Sequence, residues 1–424
     1  MTVPAGATAV SAPRGAPTAV VRQNEGVTSD LTLLTGDDAG ELLAAAVTTA
    51  GGELVDWSVK QVDHRPGRST TVAYRADVRW ADGVRRLTLG ASVGRPGDAR
   101  APGVLEMADG ERTAAVWMFP SDPELPALRL AYDPESVSEL LADLGASEAS
   151  RGPVRLDVRA YRPTRRAVIE ASTPGARVFL KVVRPSRVAE LHARHALLAD
   201  AGLPVPRPLG WSDQGLLVLA PLTGDSMRVA LQRGDPVPTA QEILALLDRL
   251  PAGVTELPRR TAWSEHATHY ASVIGAALPA EADRAARLAD GVEHRIAGIR
   301  GDEPTHGDLY ESQILLHEGR VTGLLDVDTA GPGRRADDLA CLVAHLETLA
   351  LLRGWDSARL HLLALEYART FATAVDPGEL RARTAGVLLS LATGPHRVQE
   401  QGWEAATTRR LDAVEQWLDG DPAR

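Results

Sequence analysis

One cysteine, Cys341, occurs in 424 residues. No disulfide can therefore form within the chain, which fits a reducing cytoplasm. Cys341 lies in an apolar helical run and reads as core, not nucleophile. No apolar run approaches the roughly 20 residues of a membrane span. A basic start followed by an apolar stretch is also missing, so no secretory signal is expected. Positive charge is in short supply: 46 Lys and Arg face 56 Asp and Glu, a net charge of −10. That balance argues against a nucleic-acid partner, whose phosphates need a basic surface. No G-x-x-x-x-G-K-[ST] is present, which excludes a P-loop. G-x-G-x-x-G is missing between the strand candidates near residue 160, where Arg162, Arg165 and Arg166 stand instead.

What is present supports two or three domains, since 44% of the residues are hydrophobic. Residues 1–27 are rich in Ala, Pro, Gly and Thr without periodicity and read as a flexible tail. Residues 28–150 mix helix and strand signals. Helices are expected at Asp37–Thr48, with Asp37 or Asp38 as cap, and at Asp133–Leu144, entered by Asp-Pro and stopped by Gly145. Strands are expected at Thr70–Trp80, Val84–Ser92 and Ala114–Phe119. Residues 151–223 read as strands Val154–Ala160, Arg166–Ala171 and Val178–Val183, a helix Arg187–Ala201, and a strand Leu216–Leu219. This is the order of a kinase N-lobe. His64-Arg-Pro-Gly-Arg-Ser69 echoes the turn Tyr161-Arg-Pro-Thr-Arg-Arg166. A shared hairpin solution accounts for that echo. Residues 224–424 read as helical, with one clear β feature at Gln313–Leu325.

That feature carries the chemistry. His306, Asp308 and Gln313 form H-x-D-x-x-x-x-Q, the spacing of the kinase H-R-D-x-x-x-x-N loop with Gln in place of Asn. Asp308 is the candidate base that orients a substrate hydroxyl. His306 is expected to brace the loop. Gln313–Leu316 and Val321–Leu325 flank Glu318-Gly319, a hairpin turn signal. An antiparallel hairpin sets the start of one strand beside the end of the other, and so Gln313 beside Asp326. An amide oxygen and a carboxylate suit Mg²⁺, which keeps waters and binds nucleotide phosphates. Asp328 is a supporting candidate, and Asp338 either caps its helix or supports the loop. Lys181 lies among apolar strand residues, where a charge needs a partner such as nucleotide phosphate. Glu190 on the next helix is its candidate carboxylate. His266 and His269, alone on a helix, make no zinc site.

From Tyr161 to the C-terminus the chain resembles the aminoglycoside phosphotransferase–choline kinase superfamily. The matching residues are Lys181, Gly202-Leu-Pro-Val-Pro206, Leu216 to Leu222 with Gly224, His306-Gly-Asp308, Leu325-Asp326 and Asp338-Leu-Ala340. The resemblance implies an α+β, two-lobed kinase fold, ATP with Mg²⁺, and a hinge at Leu219, Pro221 and Leu222 that meets adenine. Gln313 resembles the maltokinase-like branch, which carries an extra N-terminal α/β cap; residues 28–150 fit it. Tyr310-Glu311-Ser312 and the run Pro395 to Glu404 resemble actinobacterial glucosamine kinases more closely.

The acceptor expected on that basis is an amino sugar, glucosamine, phosphorylated at its 6-hydroxyl. A Trp403 face can stack on a pyranose, Gln399 can hydrogen-bond its hydroxyls, and Glu404, Glu311 and Asp308 can hold an ammonium group. Helical spacing allows another reading, in which Trp403, Leu411, Val414 and Leu418 form one core stripe. A maltokinase, an aminoglycoside phosphotransferase and a nucleotide-binding pseudokinase are the other functions the pattern allows. Neither membrane nor nucleic acid is an expected partner, and the oligomeric state is not legible.

Overall fold

The computed structural model describes residues 19–20, 29–65, 67–94, 102–109, 112–145 and 152–420. Most of the expected tail lies outside these. They form two compact units. The first comprises residues up to Glu190, Pro208–Ala220 and Arg397–Gln399. The second comprises Leu191–Arg207, Pro221–His396 and Glu400 onward.

The first unit begins with a six-stranded sheet of β1 (Ala19–Val20), β2 (Glu53–Arg65), β3 (Ser69–Trp80), β4 (Gly83–Val93), β5 (Val104–Asp109) and β6 (Arg112–Met118), in the order β1-β5-β6-β4-β3-β2. Helices α1 (Asp30–Thr35) and α2 (Asp38–Thr49) supply Leu34, Leu42, Leu43 and Val47 to its core. Asp37 stands at the N-terminus of α2 but makes no side-chain cap bond. Ser29 caps α1 instead, accepting from the Thr32 N–H. Strand β2 carries no strong sequence signal. It is an edge strand, half-buried to exposed along most of its length, so its residues alternate weakly.

A five-stranded sheet follows: β7 (Arg155–Arg162), β8 (Arg166–Thr173), β9 (Ala176–Val183), β10 (Pro208–Ser212) and β11 (Leu216–Leu219), in the order β10-β11-β9-β8-β7. Both echoed Arg-Pro segments are hairpin turns, β2–β3 and β7–β8. One face of this sheet is covered by α3 (Leu128–Ala131) and α4 (Pro134–Asp143), which bring Leu128, Val137, Leu140 and Leu141 onto Ile169, Leu180 and Val218. Asp133 caps α4 through the Ser136 N–H at 2.8 Å, with Pro134 in its first turn. Residues 125–144, expected with the N-terminal domain, therefore pack on the five-stranded sheet. Apolar periodicity marks a buried face but does not say against which sheet.

Helix α5 (Pro185–Asp200) runs from the first unit into the second. The second unit is built from α6 (Met227–Arg233), α7 (Ala240–Leu247), α8 (Ala267–Ala277), α9 (Ala282–Ile296), α10 (Arg335–Ala350), α11 (Ser357–Phe371), α12 (Pro377–Ala392), α13 (Gly394–Arg397) and α14 (Trp403–Asp419). Helix α7 starts on a full capping box of Thr239 and Glu242. Helix α10 is buried over most of its surface and is the spine of this core. The β content exceeds the single expected hairpin. Besides β14 (Ile314–His317) and β15 (Arg320–Leu324), β12 (Asp225–Ser226) extends the hairpin sheet, and β13 (Glu303–Thr305) pairs with β16 (Gly331–Gly333). Two- and three-residue strands are too short to show a period.

Candidate active site

The loop of residues 306–312 is held at both ends by β structure. Thr305 pairs with Gly331 across β13 and β16, and its Oγ1 donates to the Gly331 carbonyl at 2.8 Å. At the other end Ile314 pairs with Leu324. Glu318 and Gly319 make the turn at φ of 51° and 74°. The Leu325 N–H donates to the Gln313 carbonyl at 2.8 Å. The hairpin thus sets Gln313 beside the residue that precedes Asp326, as the strand pattern implied. Asp326 sits in the left-handed region (φ 53°, ψ 45°), sparsely used by non-glycine residues and enriched at functional sites.

His306 is fully buried and makes three bracing contacts. Its Nε2 lies 2.9 Å from the Leu325 carbonyl and its Nδ1 accepts from the Asp308 N–H at 3.3 Å. Its carbonyl accepts from Thr329 Oγ1 at 3.0 Å. These partners define a neutral imidazole with the proton on Nε2. Burial lowers its pKa, in the same direction. Gly307 has φ of 83°, and a Cβ there would stand 2.6 Å from the Thr329 carbonyl oxygen, so the motif needs glycine.

Asp338 does not cap its own helix. Its two carboxylate oxygens accept from the His306 and Gly307 backbone N–H groups, each at 2.7 Å. Burial pushes its carboxyl up to about 7, against those donors. Asp338→Asn turns one acceptor into a donor facing an N–H. Leaving a buried donor unpaired costs about 1–3 kcal/mol. The expected result is a lower melting midpoint together with lower kcat, since the loop that carries Asp308 loosens; unchanged values for both would contradict this role.

Around Asp308 the structure adds residues the sequence did not reveal. Trp263 Nε1 donates to Asp308 Oδ1 at 2.9 Å, and the Cys341 thiol lies 3.9 Å from the same oxygen. Cys341 is buried core, and burial, then the Asp308 and Asp338 charges, raise its pKa far above the usual thiol range. Tyr310 is raised first by burial and then by the charges of Asp308, Asp326 and Glu311, so the charges of Asp308 and Asp326 both act on it. Arg194, fully buried on α5, donates to the Ala330 carbonyl at 2.8 Å and the Pro258 carbonyl at 3.1 Å. No motif announces Trp263 or Arg194: both lie far from residue 308 in sequence.

Other expected site residues fall as follows. Glu311, expected to hold an ammonium group, is fully buried and ion-paired with Arg228 at 3.0 Å, with His345 at 3.6 Å. Its contacts are internal because the loop turns it inward against α6 and α10. Asp328 Oδ1 lies 3.9 Å from His195 Nε2. Lys181 is buried at the centre of β9, between Val168 and Leu217. Glu190 lies 3.9 Å from Arg187. Leu219 is buried, Pro221 exposed and Leu222 half-buried. On α14, Leu411 and Val414 are in the core. Trp403 is not part of that stripe: it is half-buried, with its ring edge-on to His396 at 4.7 Å, and Glu404 beside it is exposed. Gln399 takes φ of 52° and groups with the first unit, whereas Trp403 and Glu404 belong to the second. His266 and His269 pack edge-on or tilted against Tyr270.

The model of the phosphotransferase enzyme family matches residues 162–383, just over half of the chain. The chain belongs to this family. Its fold has the family's β-sheet and helical parts, preceded by extra N-terminal strands. Among solved structures, a thermostable mutant of aminoglycoside phosphotransferase APH(4)-Ia is similar at 18% identity and a TM-score of 0.48, over 66% of this chain and 99% of that one. Choline kinase from Cryptosporidium parvum Iowa II is similar at 9% and 0.46, over 67% and 95%. Macrolide 2′-phosphotransferase from Brachybacterium faecium is similar at 20% and 0.40, over 66% and 98%. No curated protein matches the chain. Among the described residues, no helix is long and apolar enough to cross a membrane.

Proposed function

We propose that the chain transfers the γ-phosphoryl group of ATP to the 6-hydroxyl of glucosamine. The observation that carries the reaction is the braced loop: Asp338 clamps His306 and Gly307, His306 holds Asp308, and the hairpin sets Gln313 against Leu325-Asp326. Phosphoryl transfer asks mainly for positioning and charge stabilisation, and a rigid loop supplies the first. Asp308 accepts the hydroxyl proton as the sugar oxygen bonds to phosphorus and the bridging oxygen leaves with ADP. Lys181 is assigned to the nucleotide phosphates, and Leu219, Pro221 and Leu222 to adenine.

Gln313 and Asp326 carry hard oxygen donors at adjoining positions of the hairpin, where the Leu325 N–H meets the Gln313 carbonyl, and such a pair would suit Mg²⁺. That ion, when bound with ATP, neutralises phosphate charge. Asp328 is assigned as a support to Asp326.

The choice of acceptor rests on Trp403 and Glu404. Trp403 is half-buried outside the core stripe of α14, with Glu404 exposed beside it, and its ring is assigned to a sugar face. Gln399 is assigned to sugar hydroxyls; Glu311, paired with Arg228 in the interior, is not assigned to the acceptor.

A coupled ADP-release screen over glucosamine, glucose, maltose and aminoglycosides tests this. Glucosamine is expected to give the highest kcat/KM, with glucosamine 6-phosphate as product. Trp403→Ala is expected to raise the glucosamine KM about tenfold while leaving the ATP KM unchanged. Preferred turnover of maltose or of an aminoglycoside would replace the acceptor and leave the reaction in place.

A further inference from the structure

The indole N–H of Trp263 reaches the carboxylate assigned as base, at 2.9 Å. It sits at the start of a short 3₁₀ turn, Trp263–His266, with no helical period to mark it. Trp263 as a residue is 39% exposed, which is unusual for tryptophan, while Tyr270 stacks nearby at 6.5 Å and 29°. The turn itself is anchored. Ser264, fully buried, donates to Asp337 Oδ1 at 2.7 Å, and Arg383 Nη1 bonds both the Ser264 hydroxyl at 3.1 Å and Asp337 Oδ1 at 2.7 Å. Gly386 on α12 makes room for it: a Cβ there would stand 2.9 Å from the Ser264 Cα.

Two adjacent residues at the start of α10 thus hold two different loops. Asp337 holds the Trp263 turn, and Asp338 holds the His306-Gly307 turn. One helix end therefore sets the separation of Trp263 from Asp308. A generic core contact would not need that arrangement.

We propose that Trp263 is a positioning residue for Asp308 and that its exposed face receives the acceptor ring. This rests on Asp308 as base. Pinning one carboxylate oxygen fixes the rotamer and so the direction of the other oxygen. An N–H donor also favours the ionised carboxylate, the form that accepts a proton. An exposed indole face next to the base is a platform for the apolar face of a pyranose, and attracts an ammonium substituent.

Among the described residues, the titratable groups that contact Asp308 or feel its charge include His306 and Tyr310 in its own loop, and Cys341 and Asp338 on α10. Burial keeps His306 neutral and Tyr310 and Cys341 protonated. Asp338 titrates in wild type and variant alike, so a difference between their pH profiles reports the lost N–H.

Trp263→Phe keeps a ring and removes the donor. Its acid limb of kcat is expected to move up by about one pH unit, and kcat on the limb to fall about tenfold, with the acceptor KM within about twofold of wild type. Trp263→Ala is expected to show the same limb and an acceptor KM raised about tenfold, with the ATP KM unchanged. A Phe chain that melts like the wild type and keeps its acid limb overturns the positioning role. An Ala chain with an unchanged acceptor KM overturns the platform. Loss of fold in both variants would assign Trp263 to stability and count against the proposal. Asp308→Asn, assayed alongside, separates the two levels: if it turns over like the wild type, the assignment of Asp308 itself fails.

Discussion

Asp308→Asn is expected to lower kcat by about 10³-fold, the order that a general base contributes. Asparagine keeps the size of the side chain and an oxygen for the Trp263 N–H, so the loop should hold its shape. The clamp from Asp338 acts on the His306 and Gly307 backbone and does not involve the Asp308 side chain. Nucleotide affinity, read by calorimetric titration, is expected to stay within about twofold, and the melting midpoint within a degree or two of wild type. This pattern of lost turnover with intact binding distinguishes a base from a residue that merely holds the fold. Undiminished turnover would remove Asp308 from the reaction. ATP binding by the wild-type chain with no turnover of any acceptor would instead favour a nucleotide-binding regulator.

The largest effect on stability is expected from Arg383→Met. Arg383 is fully buried on α12 and bonds Glu379 Oε1 at 2.8 Å, Asp337 Oδ1 at 2.7 Å, the Ser264 hydroxyl at 3.1 Å and the Ile299 carbonyl at 3.3 Å. Arg334 reaches the same Glu379 through two bonds. Methionine fills much of the volume but leaves Asp337 without its buried cation. Breaking a buried pair from one side costs about 3–5 kcal/mol. A melting midpoint several degrees lower is expected, with kcat reduced as well, because Asp337 and Ser264 orient the turn that carries Trp263. A midpoint equal to wild type would show that the network adds nothing to stability. Asp337→Asn in the Arg383→Met background is expected to recover part of the loss, since it removes the unpaired charge.

Much of the fold was legible before any coordinates. Leu216–Leu219, Thr70–Trp80 and the C-terminal helices show strong periods or clear caps, and the structure places elements there. The hairpin was legible because Glu318-Gly319 is a turn signal between two apolar runs. Strand β2 was not, because an edge strand buries little on either face. The short strands β12, β13 and β16 were not, because two or three residues carry no period. Trp403 shows the opposite limit: helical spacing suggested core, and the structure leaves its ring half-exposed.

The sequence by itself determined the reaction class through the spacing of His306, Asp308 and Gln313 and the later Asp326. That spacing is local, and local geometry follows from chain connectivity and strand pairing. Tertiary structure alone decided what surrounds Asp308. Trp263, Asp337 and Arg383 come from separate helices and turns, and no sequence distance encodes their meeting. It also decided between the two readings of Asp338, in favour of loop support, and drew Glu311 into a buried ion pair. Such contacts depend on how helices pack, and packing is set by many weak contacts summed over the whole core.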